Sequence, residues 1–204
     1  LCCNIIVVSG NSFNYIRAGN LNLRLLLPYL IGSIPLAYIG GSLPIEKNFF
    51  EILLFIVLTL AGSLLLFKFK SYDNKDETYK NIPKIFSIPI GGILGFISGV
   101  VGIGGGIFLS PILFLIKAGK PKHIVTAASI FILINSISGI SGQLTKDLVL
   151  DEIENYWFLF LAVFIGGQIG NVLNIRFFPA RILALITAGL VIFISIRMGI
   201  KIFL

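Results

Sequence analysis

The chain has 204 residues, of which 56% are hydrophobic and only 12% charged, with a formal net charge of +7 and a mean hydropathy of +1.00. A soluble domain runs near 25% charged, so this composition excludes a disordered chain, a disulfide scaffold and almost every soluble enzyme class. A bilayer span takes roughly 20 apolar residues. Six or seven spans with short loops use the whole chain, and the expected fold class is all-α, a polytopic helical membrane protein.

Leu1 already sits in an apolar run, without the basic start and cleavage site of a signal peptide. This reads as an N-terminally incomplete chain whose first span is cut, ending near residue 16. Apolar segments follow at 23–43 and 49–67. A polar stretch, 68–84, carries Ser71-Tyr72-Asp73-Asn74-Lys75-Asp76-Glu77 and reads as a cytoplasmic linker. Beyond it lie apolar segments at 85–116, 124–144, 157–178 and 182–201. The expected organisation is therefore an incomplete first repeat over 1–67, the linker, and a second repeat over 85–204.

The repeat rests on a shift of 130 residues without gaps, which places Gly40 on Gly170, Leu43 on Leu173, Leu53 on Leu183, Ile56 on Ile186 and Leu60 on Leu190. Internal repeats of this kind are common in transporters. If 85–116 crosses the membrane twice, twelve of the sixteen Lys and Arg residues fall on one side, leaving Lys47, Lys146, Arg197 and Lys201 opposite. A single crossing there gives ten against six. The cytoplasmic excess of basic residues favours two crossings, and that arrangement makes the two repeats inverted.

The densest signal is 91–106, where eight of sixteen residues are glycine: Gly91, Gly92, Gly95, Gly99, Gly102, Gly104, Gly105 and Gly106. Glycine costs a helix interior roughly 1 kcal/mol against alanine, and Gly104 to Gly106 are expected to break the helix. Two full spans need about 40 residues, whereas 85–116 is shorter. Two short helices meeting at a glycine break inside the bilayer resolve the shortage. Irregular backbone at that depth is tolerated only inside protein or beside a wet cavity. Free amides and a helix N-terminus at such a break attract an anion. The plain alternative is close packing, since Gly95 and Gly99 form a GxxxG step continued by Ser98 and Gly102. The run is neither a dinucleotide fingerprint nor a phosphate-binding loop, because no following acidic residue or Gly-Lys-Ser/Thr accompanies it.

These residues, with Pro111, the small polar run Thr126-Ala127-Ala128-Ser129, then Asn135-Ser136 and Gly139, resemble the sulfite exporter TauE/SafE family of membrane transporters. Members of that family typically carry one glycine hairpin near the start of each half, and only the second is present here. The resemblance implies transport of sulfite, sulfonates or related organosulfur anions across the cytoplasmic membrane, the bacterial inner membrane.

Other polar positions at bilayer depth are Asn135, Ser138 and Ser141, spaced by three on one helical face, and Gln168 and Asn171, also spaced by three. Such a stripe either bonds a neighbouring helix or lines a pathway. The candidate substrate-binding residues are Gly102, Gly104, Gly105, Gly106, Asn135, Ser138, Gln168 and Asn171, whose amide and hydroxyl donors could hold an oxyanion. Segment 1–16 contributes Asn4, Ser9, Asn11 and Ser12 as a loose counterpart.

No catalytic constellation is visible, so an enzyme is not expected. Two adjacent thiols, Cys2 and Cys3, and one histidine, His123, make no metal site, and no cofactor is implied. The basic charge lacks the interleaved aromatics of a nucleic-acid face. The expected partners are a small anionic substrate and the lipid bilayer, with a homo-oligomer left open. The rival reading is a non-transporting structural or accessory membrane subunit whose glycines serve packing alone.

Overall fold

The computed structural model describes residues 1–67, 84–116, 118–146, 157–176 and 180–203. They form α1 (Cys2–Arg17), α2 (Leu23–Ser42), α3 (Lys47–Phe67), α4 (Lys84–Val101), α5 (Gly106–Leu115), α6 (Pro121–Gln143), α7 (Trp157–Arg176) and α8 (Ala180–Phe203), with no strand among them. The all-helical expectation holds, and the helices follow the apolar segments closely. The expected linker lies outside the described residues, apart from Lys84 at the start of α4, as does the acidic stretch 147–154. Leu23–Ser42, Lys122–Gln143 and Leu185–Ile202 are long and apolar enough to cross a membrane.

Local chemistry sets several helix ends. The Asn22 side chain accepts from the Leu25 amide at 3.3 Å and caps α2. Pro121 opens α6 at a position whose amide has no intrahelical acceptor. Gly19 closes α1 with its amide donating to the Ile16 carbonyl at 3.0 Å.

Two compact units emerge, Leu1–Leu43 with Thr78–Gln168, and Pro44–Glu77 with Ile169–Leu204. Each draws helices from both halves of the sequence. This division by contact is a different partition from the expected division by repetition.

In the first unit α2 is the hub. A Cβ at Gly91, Gly95 or Gly99 of α4 would collide with backbone of Tyr29, Ser33 or Ala37 of α2 respectively. Steps of four on one helix match steps of four on the other, so α2 and α4 run parallel with backbones in contact. The pattern is reciprocal. Gly32 meets the Ile88 carbonyl, and Gly40 meets Phe96 and Val100. On another side of α2, the Ser138 hydroxyl donates to the Ile34 carbonyl at 2.6 Å and Gly142 abuts Tyr38 and Ser42, so α6 also runs parallel to α2. Without a hydrophobic drive between helices in lipid, close backbone approach and van der Waals contact carry the association.

α1 runs antiparallel to α6, with Leu1 against Gly139 and Asn4 near Ser136. α5 also runs antiparallel to α6: the contacts move from Ser136 and Ile132 at Gly104 to Ile132 and Ala128 at Gly106.

In the second unit α3 and α8 pack antiparallel. Glu51 pairs with Lys201 at 2.7 Å, Phe55 lies against Gly199, the Thr59 and Ser195 hydroxyls bond at 2.6 Å, and Gly62 meets Ile192.

The expected break within 85–116 is present, and the two helices it separates are unequal. α4 has 18 residues, about 27 Å at 1.5 Å per residue, which is close to a full span. α5 has 10, about 15 Å. Gly91, Gly92, Gly95 and Gly99 stay helical because α2 fills the groove they leave. Beyond Val101, Gly102, Gly104 and Gly105 leave the helical conformation, and Gly106 opens α5.

The contact geometry yields a paired test. Gly95→Ala is expected to destabilise the fold by about 2 kcal/mol through overpacking. Gly166→Ala on α7, where nothing lies within 4 Å of the added methyl, should be neutral or stabilise by up to about 1 kcal/mol. Thermal denaturation in detergent measures both.

Candidate functional site

The backbone between α4 and α5 is left-handed at three glycines, with φ of +78° at Gly102, +82° at Gly104 and +65° at Gly105. L side chains rarely adopt this region. At Gly104 space also forbids a side chain, since a Cβ would lie 2.7 Å from Ile132 Cγ2 and 3.0 Å from Asn4 Nδ2.

The turn uses few of its own hydrogen bonds. The Gly102 amide donates to the Ser98 carbonyl at 2.8 Å, the Gly106 amide to the Gly104 carbonyl at 2.8 Å, and the Phe108 and Leu109 amides to Gly105 at 3.2 Å. The amides of Ile103, Gly104 and Gly105 find no acceptor among the described residues. Successive amides in left-handed and adjacent conformations form a concave anion-binding nest, and the positive end of α5 begins at the same point.

Depth follows from α6. Ile132, which meets Gly104 and Gly106, is the central residue of that 23-residue helix, about 16 Å from either end. The turn therefore lies near the middle of a span-length helix.

The surrounding side chains are polar and buried. Asn4 Nδ2 donates to the Gly102 carbonyl at 3.3 Å. Ser98, Asn135 and Ser136 are each no more than 1% exposed. Ser98 Oγ, Asn135 Oδ1 and Ser136 Oγ all lack a partner. The Ser136 hydroxyl would sit 3.3 Å from a Cβ on Gly104, and Ser98 Cβ would sit 3.2 Å from one on Gly105. Orphaned polar atoms inside a protein are costly, and the Ser98 and Ser136 hydroxyls beside three unpaired amides mark a place where a polar guest belongs. Gly102 and Ile103 are only half-buried.

Of the eight candidates, Gly102, Gly104, Gly105 and Gly106 form the turn itself, and Asn135 is buried on α6 next to Ser136, which meets Gly104. Ser138 bonds the Ile34 carbonyl of α2, as helix glue would. Gln168 is exposed and its Nε2 would lie 3.7 Å from a Cβ on Gly10 of α1. The Asn171 side chain lies outside the description. Asn4, Ser98 and Ser136 were absent from the candidate set and stand at the turn. Their polarity inside apolar runs was visible in the sequence, but only the fold shows which of many such residues converge.

A helical chain with bilayer-length helices and an irregular, polar-lined turn at mid-helix depth has the architecture of a polytopic membrane transporter. A family model described as sulfite exporter TauE/SafE matches residues 1–198, and the chain belongs to that family. Among its relatives, a probable membrane transporter protein, y4hK, of Sinorhizobium fredii is 24% identical over 202 residues, 97% of this chain and 80% of that protein. The probable membrane transporter protein YunE of Bacillus subtilis is 26% identical over 83% of this chain and 68% of its own length. The probable membrane transporter protein MJ0441 of Methanocaldococcus jannaschii is 30% identical over 71% of this chain and 55% of its own. No solved structure matches the chain.

The site separates function from stability. Ser136→Ala removes an unpartnered hydroxyl, so it should leave thermal stability unchanged or raise it by up to about 1 kcal/mol. Gly104→Ala combines a left-handed φ with a steric clash and should cost about 2 kcal/mol or more.

Proposed function

We propose that this chain carries small sulfur-containing oxyanions, such as sulfite, sulfonates or related organosulfur compounds, across the cytoplasmic membrane. The observation that carries the reading is the run of three unpaired amides at 103–105, opposite the centre of α6 and beside the orphaned Ser98 and Ser136 hydroxyls. An oxyanion accepts hydrogen bonds from all five donors without a fixed positive charge. The family description and the relatives' printed names agree with carriage of a solute; the sulfur chemistry comes from the family description alone.

The transport cycle follows the logic of inverted repeats, with two halves rocking about a midplane site. Two pairings support it. α1 is antiparallel to α6, and α3 to α8, each pair taking one helix from 1–67 and one from 85–204. α3 and α8 are also the segments that the 130-residue shift superposes. Exposed Arg17, Arg24, Lys120 and Lys122 gather at the end of the first unit where α1 finishes and α2 and α6 begin, and the excess of basic residues on cytoplasmic loops supports reading that end as the cytoplasmic one. The partners this reading requires are the bilayer and a small anion. The rival packing role accounts for Gly91, Gly95 and Gly99 but leaves the orphaned donors without a purpose.

In liposomes containing the full-length protein, a sulfite or sulfonate gradient should dissipate faster than in empty vesicles. Gly105→Leu should abolish that flux while insertion persists. Flux of neither anion, or unaltered flux in the variant, rejects the reading.

A further inference from the structure

The donors at the turn suit an anion, but Asn135 does not. Its Nδ2 donates to the Phe131 carbonyl at 2.8 Å. A carbonyl only accepts, so this bond fixes the amide orientation and leaves Oδ1 as a pure acceptor, buried and unpartnered. Its direction follows from the helix. At about 100° per residue, Asn135 lies about 40° around α6 from Phe131, inside the arc running from Phe131 through Ala128 and Ile132 to Ser136. All four of those residues meet the glycines of the turn. Asn135 therefore projects toward the turn, one position from Ser136.

A fully deprotonated oxyanion bound to the amides would bring its lone pairs against the lone pairs of Oδ1. A ligand that also carries a proton would satisfy Oδ1 as well as the donors. We infer that the site is built for a monovalent oxyanion that keeps one acidic hydroxyl: its oxygens accept from the amides of Ile103, Gly104 and Gly105 and from Ser98 and Ser136, and its O–H donates to Asn135 Oδ1. This rests on the oxyanion reading above and adds the protonation state. Of the sulfur oxyanions, hydrogen sulfite has that form, whereas methanesulfonate matches its shape and charge but has no O–H. Sites built to bond a hydroxyl discriminate strongly against ligands lacking it, because the protein partner is left unpaired.

The titratable groups on the elements packed at the turn are the Cys2 and Cys3 thiols with Tyr15 and Arg17 at the far end of α1, Lys84 at the far end of α4, and Lys122 and His123 at the start of α6. His123 lies twelve residues from Asn135, about 18 Å along the helix. Tyr29 on α2 faces Ser87 of α4. Methanesulfonate controls for all of them, because it does not itself titrate near neutral pH.

The experiment measures binding of sulfite and of methanesulfonate to the purified full-length protein across pH. Affinity for total sulfite should fall about tenfold per pH unit once the ligand loses its proton. Methanesulfonate should bind about tenfold to a hundredfold more weakly than hydrogen sulfite, with a flat pH profile. Asn135→Leu should erase the preference, and the wild-type profiles test the proposal even if that variant does not fold. Equal affinity for the two ligands means that a water occupies the place at Asn135, and overturns the inference while the oxyanion site stands. A shared pH profile assigns the titration to the protein and overturns it too. Binding of neither ligand overturns both readings.

Discussion

In a hydrocarbon layer, a backbone amide without an acceptor costs several kcal/mol, and this constraint organises the rest of the molecule. Helices dominate the described residues because they satisfy their amides internally. The exception, at 103–105, stands where other helices cover it: α6 faces it, α1 closes one side through the Asn4 bond to the Gly102 carbonyl, and α4 supplies Ser98. A buried break so flanked is compatible with the bilayer only as protein interior, and the unpartnered atoms around it ask for a polar occupant.

The scaffold that holds this turn is a parallel stack of small residues. Gly91, Gly95 and Gly99 bring α4 onto the backbone of α2, and Gly41 and Gly142 bring α6 onto α2. Because packing sets these positions, the end of α4 is fixed relative to the middle of α6. A side chain added at any of these contacts would move the two faces of the site apart. Glycine thus serves two purposes within sixteen residues: close approach along α4, and left-handed backbone after it.

How much of this was legible varied by element. The helix positions were readable because apolar runs bounded by Lys, Asp, Asn and Pro are strong signals in a membrane chain. The break was readable because three consecutive glycines, 104 to 106, cannot favour a helix. Gly91 to Gly99 stay helical, as the GxxxG packing reading has it, because the tertiary contact with α2 outweighs glycine's intrinsic cost to a helix. Ser138 was readable as polar, but its bond to Ile34 depends on the register between α2 and α6, which no single segment encodes.

By itself, the sequence determined the class of fold, the helix boundaries and the place where the backbone must turn, because hydropathy and glycine's missing side chain act locally. Only the tertiary structure decided which polar groups meet there. Asn4, Ser98, Asn135 and Ser136 are far apart or on different helices, and each looked like any other small polar residue in a span. The meeting of Asn4, Ser98 and Ser136 at the turn follows from the register of α1, α2, α4 and α6, a property of backbones in contact rather than of any stretch of chain.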